Sequence, residues 1–303
     1  MKIKSIFSIR KWIAWFLEFE CSKRLSDKTY LALKYYAFMG KPLNLKQPRT
    51  FNEKLQWLKL FDRKDIYTTM VDKAAAKQYV AGIIGEEYII PTLGVWERFD
   101  DIHFEALPDQ FVLKCTHDSG GLVICPDKSK FDQEAARQKI EKSLKRDYFS
   151  IHREWPYKNV KPRIIAEQYM KDEETDELRD YKFFCFNGVV RAMFVATERQ
   201  KKGTEVKFDF YDTNFRHLPL RQGHPNAGVP IAKPRGFEQM KVLAEKLSAG
   251  IPHVRVDFYS VNGKVYFGEL TFSHFAGFVP FQPEKWDEVF GEWITLPNLP
   301  ANR

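Results

Sequence analysis

Short runs of apolar residues interrupted by single polar ones recur along the chain and predict β-strands. The clearest is FVLKCTHDSGG at residues 111–121, where an apolar stretch meets a small polar loop and the next residues, LVICP, run back. Further runs of this kind are YIIP, RIIAEQY, DYKFFCF, VVRAMFV, VKFDFYD, HVRVDFY and KVYFGELT. Asn187-Gly188 and Asn262-Gly263 separate two pairs of these runs, and Asn-Gly favours two-residue hairpin turns. The pattern therefore predicts antiparallel hairpins.

Helical signals lie between these strands. Thr50 and Glu53 fit a capping box that opens a helix, and Asp72 fits the N-cap of another helix ending near Gly82. Two more amphipathic segments are residues 132–144 and 237–247. Hairpins interspersed with helices favour an α+β fold over a parallel, doubly wound sheet. The sequence contains neither a G-x-G-x-x-G motif nor a Walker A motif, so it lacks two common nucleotide-binding signatures.

The net charge is concentrated at one end of the chain. The sequence has 48 Lys and Arg and 40 Asp and Glu. The first fifty residues hold eleven of the basic residues and three of the acidic ones. This segment therefore accounts for the whole formal charge of +8, and the rest of the chain carries 37 charges of each sign. A nucleic-acid-binding protein would be basic over its body, and the chain has no zinc-finger, RNA-binding or basic-region motif. We expect no nucleic acid partner.

The first twenty residues, MKIKSIFSIRKWIAWFLEFE, form a basic and Trp-rich leader. Its apolar part, residues 12–17, is too short to span a bilayer, and the leader lacks the small-residue cleavage site of a signal peptide. Two interpretations stay open: an amphipathic helix on an anionic membrane surface, or a helix packed on the domain. The four cysteines show no C-x-x-C spacing and indicate free thiols in a reducing compartment. We therefore expect a cytoplasmic protein, peripheral at the inner membrane face under the first interpretation.

Lys114 is the only charged residue of its predicted strand, and it directly precedes a loop rich in small residues. In one interpretation Lys114 is the solvated side of an ordinary hairpin. In the other, Lys114 and the backbone N–H groups of the loop bind an anion together.

Carboxylates on the last two predicted strands form a candidate metal site. Alternation puts Arg255 and Asp257 on one face of HVRVDFY, and along KVYFGELT it puts four residues on one face: Val265, Phe267, Glu269 and Thr271. A two-residue turn would leave Asp257 and Glu269 on opposite faces. A three-residue turn, or a bulge of equal effect, would place them across from each other. Mg²⁺ commonly binds one or two carboxylates plus phosphate oxygens, so the metal interpretation needs the second register; exposed polar alternation is the other interpretation.

Taken in chain order, these features resemble the ATP-grasp superfamily, and more closely its TupA-like branch, which is associated with teichuronopeptide and capsular polysaccharide gene clusters. The resemblance covers residues 26–297 and rests on the strings TFNEKLQWLKLFDR, VDKAAAK, FVLKC, REWPYKNVKPRIIAEQYM, LRDYKFFCFNG, IPHVRVDFY and NGKVYFGELTF. It implies an ATP-grasp fold, with two antiparallel-sheet α+β subdomains that clasp the nucleotide. The implied parts are an N-terminal helical region (1–70), a subdomain with a phosphate-covering hairpin (71–170) and a C-terminal subdomain with the Mg/ATP site (171–303).

The resemblance also assigns cofactor-binding roles by position. Lys73 and Lys114 match the lysines that contact the nucleotide phosphates. The phosphate-covering hairpin matches His117, Ser119, Gly120 and Gly121. The adenine-binding hinge matches Glu167, Gln168, Tyr169 and Met170, and Asp180 matches a ribose-binding position.

The resemblance makes Asp257 and Glu269 the magnesium ligands and Arg255 a clamp for the transferring phosphate or a substrate carboxylate. Two positions depart from the family pattern. Thr271 replaces an Asn that is common as a third metal ligand, and Asp118 lies in the loop that should cover phosphate, where its charge is unfavourable unless it helps to hold metal.

The implied reaction is ATP- and Mg²⁺-dependent carboxylate–amine ligation through an acylphosphate. The implied substrates are a uronic-acid-containing surface or capsular glycan, or its precursor, and a small amine or amino acid. Phosphotransfer to a glycan hydroxyl and a non-catalytic scaffold of the capsule machinery are the alternatives. Neither the substrates' identities nor the oligomeric state follows from the sequence.

Overall fold

The computed structural model describes residues 9–175, 177–199 and 203–298, which form an α+β fold. The helices are α1 (Ile9–Phe16), α2 (Asp27–Met39), α3 (Phe51–Phe61), α4 (Ile66–Val71), α5 (Ala75–Ile84), α6 (Gln133–Leu144), α7 (Tyr148–His152), α8 (Phe237–Ser248) and α9 (Lys285–Glu292). The strands are β1 (Thr92–Trp96), β2 (Phe111–Cys115), β3 (Leu122–Cys125), β4 (Ile164–Gln168), β5 (Asp180–Phe186), β6 (Val189–Thr197), β7 (Lys207–Asp212), β8 (Arg221–Gln222), β9 (His253–Val261), β10 (Lys264–Thr271) and β11 (Phe281–Gln282). Within the described ranges, no helix is long and apolar enough to cross a membrane.

The N-terminal sheet has the strand order β1-β4-β2-β3, and its neighbouring strands are antiparallel. Its buried face packs on α6, with Phe111, Leu113 and Ile140 in one apolar cluster. The predicted hairpin of β2 and β3 is confirmed. The predicted strand YIIP is wrong, because the chain forms a 3₁₀ turn at Glu86–Tyr88 and the strand begins only at Thr92.

The C-terminal sheet has the strand order β10-β9-β5-β6-β7 and is also antiparallel. Both Asn-Gly turns are present, with φ of 50° and 83° at Asn187 and Gly188 and of 51° and 78° at Asn262 and Gly263. Positive φ at both turn residues is what a two-residue type I′ hairpin requires. A third, short sheet pairs β8 with β11.

The two faces of the C-terminal sheet differ in chemistry. One face is apolar and packs on α5 and α8, with Phe183, Val256 and Phe237 fully buried. The other face begins with an aromatic cluster that includes Phe184 and Phe194 and ends in charged residues. Period-2 alternation along β5 and β9 produces this division, because it sends apolar residues to one side and charged or aromatic residues to the other.

Helix termini follow the local sequence closely. The capping box is present, since the Thr50 side chain accepts a hydrogen bond from the backbone N–H of Glu53 and the Glu53 carboxylate accepts one from that of Thr50. The Asp72 carboxylate accepts hydrogen bonds from two N–H groups at the start of α5. That helix continues past Gly82 and ends before Gly85, whose φ of 110° suits glycine.

The leader contains α1, which packs on α2 through Ile13 and Leu17. Residues 1–8 of the leader lie outside the described part of the chain. The three-part division of the chain stays a prediction.

Candidate nucleotide and metal site

A cleft between the two larger sheets collects most of the charged residues singled out in the sequence. Its walls come from α4 and α5, from the loop between β2 and β3, and from strands of both sheets. Its charged lining residues are Lys73, Lys77, Lys114, Asp118, Glu167, Asp180, Lys182, Arg199 and Glu269. Cations and carboxylates therefore face each other across one opening.

A β-bulge at Gly268 sets the register of the carboxylates. The hairpin turn has two residues, since Val261 pairs with Lys264, and this register alone would separate Asp257 from Glu269. The register shifts between Phe267 and Glu269, so that Glu269 pairs directly with Asp257. The metal interpretation needs this arrangement, which arises here from the bulge and not from a longer turn.

The bulge also corrects the predicted faces of β10. Val265 and Phe267 lie in the apolar core with Leu270 and Phe272. Glu269 lies on the opposite face, beside Arg255. The prediction that Val265, Phe267, Glu269 and Thr271 share one face is therefore wrong, because one extra residue reverses the alternation.

Arg255 joins the metal-site residues to each other. Its guanidinium donates two hydrogen bonds to Asp257, each of 2.7 Å, and others of 3.2 Å to Glu269 and 3.0 Å to Thr271. A fourth partner is His274, whose Nδ1 accepts at 2.7 Å. Arg255 thus shares the carboxylate face as predicted, but it is buried against Asp257 and does not line the cleft wall.

Lys182 is a site residue that the sequence argument missed. It lies on β5 opposite Asp257, donates to that carboxylate, and reaches Asp180 at 3.6 Å and Glu269 at 3.9 Å. Burial alone would raise the pKa of Asp257, but Arg255 and Lys182 outweigh burial and lower it to about 2. Asp257 is therefore ionised and held between two cations.

The donor set fits a hard divalent cation bound with phosphate oxygens. Among the described residues no group of three or more His, Cys, Asp or Glu is arranged to hold a metal by itself. Asp257 and Glu269 nevertheless present carboxylates at paired positions on one face, and Mg²⁺ usually takes only one or two carboxylates from protein. Glu269 is the accessible partner, with a side chain 40% exposed against 1% for Asp257.

At the N-terminal sheet, the carboxylate of Glu167 on β4 binds two lysines, one on β2 and one on α5. Glu167 lies 2.5 Å from the Nζ of Lys114 and 2.6 Å from that of Lys77. Burial would raise the pKa of Glu167, but these lysines lower it below its ordinary value. Lys114 is therefore not a simple solvated residue. Lys77, which was not predicted from the sequence, lies on α5 four residues after Lys73 and lines the same cleft.

The loop between β2 and β3 is tied to the cleft from within. The ammonium of Lys73 donates to the backbone carbonyl of Asp118. The Asp118 carboxylate is fully buried and accepts hydrogen bonds from the N–H of Gly121 and the hydroxyl of Ser143. Asp118 therefore holds the loop in its conformation from within.

The loop residues divide between the cleft and the interior. Ser119 and Gly121 line the cleft, whereas His117 is buried and, like Gly120, is not among the lining residues. A Cβ at Gly121 would lie 2.5 Å from the Sγ of Cys115, so only glycine allows this close packing.

A second, more apolar recess continues from the cleft along the hinge. Gln168, Tyr169 and Met170 line it, together with Ile90, Val112, Ile124, Leu178 and Tyr259. Glu167 borders both spaces, and Arg199 beside it pairs with Asp180. A recess lined mainly by apolar and aromatic side chains, with a few polar groups at its border, is the form of site that takes a small organic ligand.

The segment at 148–157 closes the carboxylate end of the cleft. The Tyr148 hydroxyl lies 3.2 Å from that of Ser119 in the loop, and its ring packs edge-on against Tyr157. Burial, with Tyr148, Glu154 and Glu269 nearby, raises the pKa of Tyr157, so its hydroxyl stays protonated. This segment contains the REWPY string, to which the sequence alone assigns no role.

Comparison with known proteins places these features in a family. A family model described as TupA-like ATPgrasp matches residues 53–295. None of the curated proteins matches the chain.

Among solved structures, the chain is similar to ATP-bound D-alanine–D-alanine ligase from Bacillus anthracis (13% identity, TM-score 0.39), with 67% of this chain and 54% of that chain covered. It is also similar to L-amino acid ligase from Bacillus licheniformis (12% identity, TM-score 0.45), with 81% and 55% covered. The chain thus spans about half the length of these structures.

Proposed function

The chain belongs to the TupA-like ATP-grasp family, and we propose that it is an ATP- and Mg²⁺-dependent ligase that joins a carboxylate to an amine. The observation that carries the proposal is the arrangement of charge at the cleft: Lys73, Lys77 and Lys114 line it together with Glu269, and Glu269 pairs across the strands with the buried Asp257. Phosphoryl transfer needs cations around the phosphate oxygens and a site for the metal, and these lysines and carboxylates are the residues we assign to the two roles.

ATP lies along the cleft with its adenine in the apolar recess. The hinge residues Gln168–Met170 border the base, and Asp180, which pairs with Arg199 at the edge of the recess, contacts the ribose. Lys73 and Lys114 contact the phosphates. Lys182, between the recess and the carboxylates, is a third cation positioned for them.

Asp257 and Glu269, with Thr271, are the residues that would hold Mg²⁺, and the bound metal would neutralise charge on the phosphates. Arg255 keeps the carboxylates on one face and stays ionised, because its pairing with Asp257 and Glu269 raises its already high pKa against the effect of burial. Arg255 is predicted to contact the transferring phosphoryl group or the substrate carboxylate. It would make this contact while its guanidinium stays paired with Asp257.

The reaction has two steps. A substrate carboxylate oxygen attacks the γ-phosphorus of ATP, the bond to the bridging oxygen breaks, and ADP leaves. An amine then attacks the acyl carbon of the acylphosphate, phosphate leaves with the bonding electrons, and the nitrogen loses a proton to give an amide. Acylphosphates hydrolyse readily, so the loop at 117–121 and the wall at 148–157 serve to exclude water.

The carboxylate belongs to a uronic-acid-containing surface or capsular glycan, or to its precursor, and the amine is a small amine or an amino acid. The support is the resemblance of the chain to the branch associated with such gene clusters. The protein acts in the cytoplasm, at the inner face of the membrane.

Product analysis tests this function. Purified protein with Mg-ATP, a uronic-acid oligosaccharide and a panel of amino acids should release ADP and phosphate and give an amide that mass spectrometry detects. A phosphoester product with no amine consumed would replace ligation by glycan phosphorylation. Absence of ATP binding would indicate a scaffold. Mass spectrometry of surface glycan from a deletion strain then identifies the natural pair.

A further inference from the structure

Helix α1 and the residues after it carry an exposed aromatic face, defined by Ile9, Trp12, Trp15 and Phe19. These side chains are 63%, 53%, 55% and 44% exposed. Trp12 stacks with Phe16, and Trp15 packs edge-on against Phe19 at 4.5 Å, so that neighbouring rings form a continuous surface. Single exposed apolar residues are ordinary, but adjacent large aromatics on one short segment are not.

The aromatic face cannot be explained as the part of α1 that packs on the protein, because a different face does that. Ile13 and Leu17 are buried against Tyr30 and Ala37 of α2. Arg10 fixes the same contact through hydrogen bonds of 3.1 Å to the carbonyls of Ala37 and Phe38. Turning the aromatic face inward would break these contacts.

The charge of the surrounding segment indicates what covers the face. Residues 1–17, which contain Ile9, Trp12 and Trp15, hold four Lys and Arg and no Asp or Glu. Positive charge beside exposed Trp and Phe is the combination that binds at the interface of an anionic bilayer, where the rings enter the headgroup region and the cations pair with lipid phosphates.

We propose that the aromatic face docks on the surface of an anionic phospholipid membrane while the opposite face of α1 stays packed on α2. In this proposal one helix satisfies both interpretations of the leader, because one face binds the membrane surface and the other packs on the domain. The proposal does not depend on the ligase activity.

Vesicle sedimentation of the full chain tests the proposal. We expect binding to phosphatidylcholine vesicles that contain phosphatidylglycerol, little binding to phosphatidylcholine alone, and a steep loss of binding as salt is raised. The double variant Trp12→Ser/Trp15→Ser should bind the anionic vesicles roughly tenfold more weakly. The matched control is Val229→Ser/Val242→Ser, which removes two apolar side chains that are 71% and 53% exposed elsewhere and should bind as the wild type does.

A second measurement guards against a folding defect in the serine variant. Bromine on the lipid chains should quench tryptophan fluorescence of the wild type. The conservative variant Trp12→Phe/Trp15→Phe should lose most of that quenching while it still sediments with vesicles. Failure of the wild type to bind anionic vesicles would overturn the proposal, as would equal binding by the wild type and the serine variant. A change in oligomer size with the serine variant, and no lipid binding, would overturn it in favour of a protein interface.

Discussion

The two walls of the cleft hold their charges in different ways. At the N-terminal sheet, Lys114 of β2 and Lys77 of α5 share the single carboxylate of Glu167, so positive charge is in excess there. On the C-terminal sheet, Lys182 and Arg255 are matched by Asp257 and Glu269, and the network is more deeply buried. An excess of cations suits phosphates, whereas ionised carboxylates held in register suit a metal. We therefore infer that the residues of the first wall bind ATP and that those of the second wall support phosphoryl transfer.

Among substitutions on the second wall, Asp257→Asn should have the largest effect on stability and turnover. This change leaves two buried cations without their main partner, and removal of one member of a buried ion pair costs about 3 kcal/mol or more of unfolding free energy. We expect loss of turnover and a clear drop in stability by denaturant unfolding.

Lys114→Ala on the first wall should leave the unfolding free energy within about 1 kcal/mol of wild type, since Lys77 still pairs with Glu167.

Lys114→Ala tests the first wall by its effect on ATP binding. Loss of a charged hydrogen bond to phosphate should cost about 2 kcal/mol, or roughly 30-fold in affinity by calorimetry. Lys77→Ala is the matched control, because it removes the other lysine on Glu167 without removing a predicted phosphate contact. Equal losses for the two variants would contradict the role of Lys114.

Gly268→Ala sharpens the role of the bulge. A Cβ there would lie 3.0 Å from the carbonyl oxygen of Asp257 and 3.2 Å from the Tyr259 ring, so the strands must shift slightly. We expect turnover to fall roughly tenfold through misplacement of Glu269, with ATP affinity nearly unchanged. Gly228→Ala, at a position with nothing within 4 Å, should have no effect. Unchanged turnover in Gly268→Ala would show that the register tolerates displacement.

Acid should weaken the fold through the buried His253 at the start of β9. Burial lowers the pKa of His253 from 6.5 to about 3, so its neutral form stabilises the fold above pH 6.5 and that contribution is lost as pH falls toward 3. The lowered pKa of Glu167 acts only below its ordinary value of 4.5. Between pH 6 and 5, His253→Gln should therefore reduce the slope of unfolding free energy by at most about 1.4 kcal/mol per pH unit. His103→Gln, an exposed position, should leave the slope unchanged; an unaltered slope in His253→Gln would contradict the assignment.

Local signals in the sequence predicted local structure well. The capping box at Thr50 and both Asn-Gly turns follow from a few neighbouring residues, and the structure contains them. The bulge at Gly268 was not predictable by alternation, because one inserted residue changes the pairing without changing the composition of the strand. A glycine inside a strand pattern was its only signal.

The site was predicted in part for similar reasons. Lys114 is the one charge in an apolar strand, whereas Lys182 shares DYKFFCF with Asp180, so the criterion of a lone charge does not single it out. Arg199 lies in a connection after β6 and contacts Asp180 through the tertiary fold, which no local pattern reports. Side chains that pair across strands depend on the strand register, and the sequence left the register of β9 against β10 open.

The separate roles of the two walls are tested most directly by measuring ATP affinity and the rate of ADP release for two variants, Glu269→Gln and Lys114→Ala, at saturating Mg²⁺. Glu269→Gln keeps the shape of the side chain but removes its charge, so turnover should fall by roughly 100-fold or more while ATP affinity changes little. Lys114→Ala should show the opposite pattern, with weakened affinity and turnover largely restored at saturating ATP. Near-normal turnover in Glu269→Gln, or the same pattern of losses in both variants, would contradict the account.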